Sequence, residues 1–99
     1  MAIDAIILNK SDNVATAVQA LKPGQKAKVR LGREIQETTI TEDIPYGHKF
    51  AVRSIIAGEN IIKYGEIIGR ATLAIPIGCH AHVQNIESLR GRGDLQKGV

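Results

Sequence analysis

Pro45-Tyr-Gly-His-Lys-Phe-Ala-Val-Arg-Ser-Ile-Ile-Ala-Gly-Glu-Asn-Ile-Ile-Lys-Tyr-Gly-Glu-Ile-Ile-Gly-Arg-Ala71 reads as three short β segments, over residues 48–55, 60–64 and 66–71. Two glycine-centred turns, Ala57-Gly58-Glu59 and Tyr64-Gly65-Glu66, separate them. Glycine supplies the positive φ of a tight reversal, and the β-branched residues on either side suit the half-buried surface of a sheet. Beside those turns stands a polar set: His48, Lys49, Arg53, Lys63 and Tyr64. Cationic and titratable groups gathered at strand ends form a receptor for an acidic small molecule.

Working outward, residues 2–8 are an apolar run interrupted by Asp4, short enough for a strand. Ser11-Asp12-Asn13 then offers N-cap side chains before Val14, Val18 and Leu21, which fall on one helical face. The pattern predicts one short helix of about ten residues, ended by Lys22-Pro23-Gly24. Residues 26–31 alternate Lys26, Lys28 and Arg30 with Ala27, Val29 and Leu31, which predicts a strand with a solvated basic edge. Gly32-Arg33 turns it into residues 34–41, giving a hairpin. The expected class is therefore mainly β with one short helix.

Two connections resemble each other: Ile44-Pro-Tyr-Gly47 and Ile75-Pro-Ile-Gly78. Each delivers the chain to histidine, His48 after the first, His80 and His82 after the second, and the echo predicts a common site. His80 and His82 are two apart and project from one face of a strand, a spacing compatible with metal ligation. Imidazole titrates near neutral pH, which makes His48 the leading candidate for acid/base work. Cys79, the single cysteine, is read as a small buried hydrophobe. Residues 81–86 complete the strands, so that 1–87 form one domain and 88–99 a flexible tail. No second domain and no repeat with a period of 20–50 residues is visible.

Composition excludes several classes of function. Thirteen Lys/Arg against ten Asp/Glu leave +3, with the signs interleaved, too mild a charge to argue for nucleic acid. No segment approaches the roughly 18 apolar residues of a membrane span. A lone cysteine and the absence of a basic, then apolar, leader point to the cytoplasm. The glycines are scattered at turns, so nothing resembles a phosphate-binding loop. A 99-residue β domain is marginal in burial and poorly equipped to enclose a substrate, so a partner subunit is expected and self-association through strand edges is possible.

Several separate motifs carry a resemblance that spans the chain to about Leu95: Asp12-Asn-Val14, Leu21-Lys-Pro-Gly24, Ile44-Pro-Tyr-Gly-His-Lys49, Ile61-Ile-Lys-Tyr-Gly65 with Ile68-Gly69, and His80-Ala-His-Val-Gln-Asn85. Together they resemble the SAF-type N-terminal module of the altronate/galactarate dehydratase family. That resemblance implies a β-clip fold, a small sheet whose long hairpins fold back on themselves. It also implies a small subunit, or module, working with a large dehydratase subunit on a hydroxy acid, with a divalent metal such as iron held mainly by the large subunit. On this reading His48 is catalytic, Lys49, Lys63 and Tyr64 bind substrate, and His80 and His82 contribute to a metal site shared with the partner. The chain's length resembles the stand-alone form, inactive without its partner. The same family includes sulfolactate sulfo-lyase small subunits, which serve elimination of sulfite instead of water; a non-catalytic carbohydrate- or protein-binding module and a purely structural subunit are the other readings. One departure stands out: a frequent His-x-His-x-His-Asn ending reads here with Gln84 in the third histidine's place.

Overall fold

Four turns of one design build the molecule. They belong to four eight-residue segments: Ala17-Val-Gln-Ala-Leu21-Lys-Pro-Gly24, Ile40-Thr-Glu-Asp-Ile44-Pro-Tyr-Gly47, Ala51-Val-Arg-Ser-Ile55-Ile-Ala-Gly58 and Ala71-Thr-Leu-Ala-Ile75-Pro-Ile-Gly78. In each, the first and fifth residues are buried, and the eighth is a glycine with φ between 82° and 90°. The residue after each glycine donates its N–H to the carbonyl three positions back, at 3.0–3.1 Å. That is a turn with positive φ at its third position, where glycine carries no steric penalty.

The segments associate in reciprocal pairs. Leu21 and Ile44 exchange backbone hydrogen bonds of 2.8 and 2.9 Å, and Ile55 and Ile75 exchange bonds of 3.0 and 2.8 Å. Each glycine then donates to the first residue of its partner segment: Gly24 to Ile40, Gly47 to Ala17, Gly58 to Ala71 and Gly78 to Ala51. Two interlocked turn pairs result. The repeated unit is eight residues long and begins at positions 17, 40, 51 and 71, so it recurs at uneven intervals with no fixed period.

The computed structural model describes residues 3–88, and between these turns run nine strands: β1 (Ala5–Ile7), β2 (Val14–Ala17), β3 (Lys26–Leu31), β4 (Glu34–Thr39), β5 (Lys49–Ala51), β6 (Asn60–Lys63), β7 (Glu66–Ala71), β8 (His80–Ala81) and β9 (Ile86–Ser88). They form a six-stranded sheet in the order β4-β3-β1-β2-β5-β8 and a three-stranded sheet β6-β7-β9. All neighbours are antiparallel except β1 and β3. The β3–β4 and β6–β7 hairpins fall where the sequence places them. The tail expected beyond the domain lies outside the described residues from residue 89 on, and Ser88 belongs to β9.

The expected helix does not form, and the described residues contain none. Its segment is β2, followed by the turn segment of Leu21. Both faces of β2 are covered: Val14 faces a cluster with Ala51, Ile55, Ile61, Ala71, Ile75 and Ala81, while Ala15 and Ala17 face a second cluster with Leu21, Val29, Ile40, Ile44 and Phe50. A strand between two cores needs apolar residues at consecutive positions, and small alanines let the layers close. Val18, essential to the helical stripe, is 38% exposed. An isolated helix of ten residues is itself marginal in water, so packing decides.

Neighbouring polar side chains lock this arrangement. Asn13, the intended cap, donates to the Asn60 carbonyl (2.8 Å) and accepts from the Ile62 N–H (2.8 Å), joining the two sheets. Asp12 is fully buried and accepts from the amides of Leu8, Asn9 and Gly65. A buried carboxylate with three N–H donors is compensated for its lost hydration. Among the described residues no helix is long and apolar enough to cross a membrane.

Candidate functional site

The second and fourth turn segments hand the chain directly to the candidate site. His48 follows Gly47 and leads into β5; Cys79 and His80 follow Gly78 and lead into β8. The two strands pair with Lys49 opposite Ala81 and Phe50 opposite His80, and one further step of that register sets His48 opposite His82. Positions 48, 80 and 82 therefore share one face of the ladder. The ring centroids lie 4.2 Å apart for His48 and His82, 5.1 Å for His48 and His80, and 5.5 Å for His80 and His82, all stacked. The echo between the two Pro-x-Gly connections thus corresponds to spatial convergence.

His80 is the most firmly held of the three. Its N–H donates to Glu42 Oε1 (2.8 Å), and its carbonyl accepts from Asn85 Nδ2 (2.9 Å). Its ring Nε2 lies 2.9 Å from His48 Nδ1, and its Nδ1 lies 3.0 Å from Gln84 Nε2. Asn85 is buried and also accepts from the His82 N–H through Oδ1 (2.9 Å), which shapes the turn bringing Gln84 back to His80. Glu42 could not be singled out from its loop sequence, because its contact is made 38 residues away. Asn85 was visible only as part of a motif, and Gln84 only as a departure from one.

The electrostatics of His80 and His82 favour their neutral forms. Desolvation, then repulsion from His48 and His82, lowers the His80 pKa, with Glu42 opposing in part. His82 is lowered by desolvation and then by His48 and Lys49. Lys49 lies half-buried beside this group, and burial followed by repulsion from Lys63 holds its amine below the usual range. Lys49 in turn acts on His80 and His82, so positive charge lies within electrostatic reach of the cluster.

The other candidates divide. The Lys63 Nζ sits 5.1 Å from the centroid of the Tyr64 ring, and Tyr64 occupies the β6–β7 turn with φ of 54°. Lys63 is linked to the site through Lys49, while Tyr64 is turned toward Lys63. Arg53 leaves the polar set: it donates to the Lys10 carbonyl and lines a separate surface cleft of about 330 Å³ with Lys10, Asp12 and Glu34. Cys79 packs against the second core, with Sγ 3.2 Å from Thr41 Oγ1.

The donor set suits a metal. One nitrogen from each of His48, His80 and His82 lies within 4.8 Å of the others. Metal–nitrogen bonds of about 2.0–2.1 Å put ligand nitrogens roughly 3.4 Å apart in a tetrahedron, so the widest separation exceeds the ligating one by no more than roughly 1.4 Å. Neutral imidazoles are also the ligating form.

Fold and site together define a small β-clip module that presents a histidine cluster at the ends of two strands. The chain belongs to the altronate/galactarate dehydratase SAF domain family, whose model matches residues 3–89. It is 40% identical over 80 residues to an altronate dehydratase of Escherichia coli (strain K12), an alignment covering 81% of this chain and 15% of that protein. Against a galactarate dehydratase (L-threo-forming) of the same organism it is 42% identical over 73 residues, 74% of this chain and 13% of that protein. It is 33% identical over 94 residues to a (2R)-sulfolactate sulfo-lyase subunit alpha of Chromohalobacter salexigens, covering 91% of this chain and 99% of that subunit. The chain thus spans about a seventh of the dehydratases it matches and nearly all of the sulfo-lyase subunit.

Proposed function

We propose that this chain is the small component of a metal-dependent lyase acting on a hydroxy acid, completed by a large subunit that encloses the substrate. The observation that carries this reading is the convergence of His48, His80 and His82, with Lys49 close enough to act on His80 and His82. The family relationship supplies the reaction class: the relatives are dehydratases and a sulfo-lyase.

In the dehydration, a base takes the proton next to the substrate carboxylate, a carbon–carbon double bond forms, and the neighbouring carbon–oxygen bond breaks. The leaving oxygen collects a proton and departs as water, and the enol product ketonises. His48 takes or gives the proton. Lys49 and Lys63 bind the carboxylate, which relieves their mutual repulsion, and Tyr64, beside Lys63, bonds a substrate hydroxyl. His80 and His82 would hold a divalent ion such as iron together with groups of the large subunit. That ion, when bound, supplies Lewis-acid stabilisation of developing negative charge. Tyr46 and Val83, 73% and 81% exposed and within two residues of cluster members, form the apolar rim on which the large subunit closes.

A second reading, elimination of sulfite, is favoured by the near-complete coverage of the sulfo-lyase alpha subunit. Both reactions begin with the same proton abstraction, so the residues of this chain serve either. The deciding assay mixes the chain with its candidate large subunit and supplies altronate, galactarate and (2R)-sulfolactate, with each subunit alone as control. Turnover is expected only in the mixture, and His48→Gln should lower kcat by about 10²–10⁴-fold, the range of general acid–base catalysis. Unchanged turnover in that variant would remove His48 from the chemistry.

A further inference from the structure

Gln84 occupies the place where the family resemblance leads one to expect a third histidine, yet it meets the cluster. Its amide lies 3.0 Å from His80 Nδ1, and the other ring nitrogen of His80 lies 2.9 Å from His48 Nδ1. These two contacts are linked by tautomerism. A neutral imidazole carries one proton, so whatever Gln84 presents to Nδ1 decides what Nε2 offers to its neighbour. If the amide N–H donates to Nδ1, the proton of His80 resides on Nε2 and points to His48; Nε2 then has no lone pair for an ion. If the amide carbonyl faces Nδ1, the proton resides there and Nε2 is a free ligand. Glutamine can present either group by a half-turn of its terminal torsion.

We propose that Gln84 is a positioning residue that selects the tautomer of His80: its N–H sustains the hydrogen bond from His80 to His48 when no ion is bound, and its rotated carbonyl frees His80 Nε2 when a divalent cation is taken up. The surroundings make His80 the fitting target, since its backbone is pinned by Glu42 and Asn85 and both of its ring nitrogens meet neighbouring side chains. The turn closed by the Asn85 N–H to the His82 carbonyl (3.0 Å) fixes Gln84 beneath it. Ligating histidines ordinarily give their second N–H to such an acceptor, and loss of the acceptor weakens metal affinity by roughly 10–100-fold.

The cation half of this inference rests on the metal reading above; the tautomer half does not. The test uses the full chain at pH 8 and compares wild type, Gln84→Glu and Gln84→Leu. Long-range ¹H–¹⁵N spectra of the metal-free proteins should show His80 protonated at Nε2 in wild type, at Nδ1 in Gln84→Glu, whose carboxylate only accepts, and as a mixture in Gln84→Leu. Titration with Co²⁺ alone, followed by its visible absorption, should give Gln84→Leu an affinity about 10–100-fold weaker than wild type, with Gln84→Glu no weaker. The same His80 tautomer in all three proteins would overturn the proposal. Tautomers that move as stated in a chain that takes up no Co²⁺ would sink the cation half while upholding Gln84 as the residue that orients His80. Because Gln84 is exposed, neither variant should disturb folding, and an unchanged amide spectrum checks this.

Discussion

His80 and His82 give this protein a pH-dependent stability whose sign follows from their surroundings. Both titrate below the ordinary imidazole value near 6.5, chiefly through desolvation and repulsion within the cluster. The unfolded chain therefore binds more protons than the folded one once the pH drops below that value, and stability falls as acid is added. Above pH 7 the contribution is fully present; it is lost as pH falls through the lowered folded values. For the metal-free chain, thermal unfolding with a chelator present should show Tm falling between pH 7 and pH 5. The double variant His80→Asn, His82→Asn should flatten that step, and superimposable profiles for the two proteins would contradict the assignment. At this scale the three histidines were legible, because two Pro-x-Gly connections announced them. Glu42 and Asn85 were not legible as partners of His80, since what they contribute is a hydrogen bond to a backbone that only folding brings near.

The turn segments make demands that differ from copy to copy, although their glycines share one conformation. Gly24 has φ of 90° and open space where a Cβ would stand, so Gly24→Ala costs only the left-handed backbone, roughly 1–2 kcal/mol. Gly78 has φ of 87°, and a Cβ there would lie 2.0 Å from the Thr39 carbonyl oxygen. The Thr41 N–H donates to the Gly78 carbonyl at 3.0 Å, so the turn is clamped to the chain it would strike. Gly78→Ala should therefore lose a further 1–3 kcal/mol or so through overpacking. Urea denaturation of the two variants measures the difference, and equal losses would show that the contact at Gly78 yields freely. The same segments explain what sequence reading missed. Val14, Val18 and Leu21 imitate one face of a helix, and the alanines among them add helix propensity, so the stretch reads as helix. The two-sided burial of β2 that decides otherwise depends on β5 and on the second core, both distant in sequence. The hairpins, whose partners are a few residues away, were legible throughout.

As a whole the molecule measures 50 × 25 × 21 Å and places its histidine cluster at strand ends instead of within an enclosing cavity. Elimination chemistry needs water kept from the reactive intermediate, and an open cluster with half-buried rings does not achieve this unaided. The proposed large subunit must therefore close over the cluster, and the exposed side chains nearest to it define where. Tyr46 stands at the tip of the turn before His48, and Val83 follows His82; burying both against a partner would remove apolar surface from water at the centre of the contact. Aromatic anchors beside a site typically cost more than 1 kcal/mol on truncation, and each 1.4 kcal/mol is tenfold in affinity. Tyr46→Ala with Val83→Ser should thus weaken assembly with the large subunit by at least about tenfold, read by titration of one subunit into the other. The Tm of the isolated chain should stay unchanged, because neither side chain belongs to its two cores. Activity at saturating large subunit should then recover, which separates a docking role from a chemical one. Unaltered affinity would move the interface elsewhere, and β4, whose edge faces no neighbouring strand within its sheet, would be the next surface to probe.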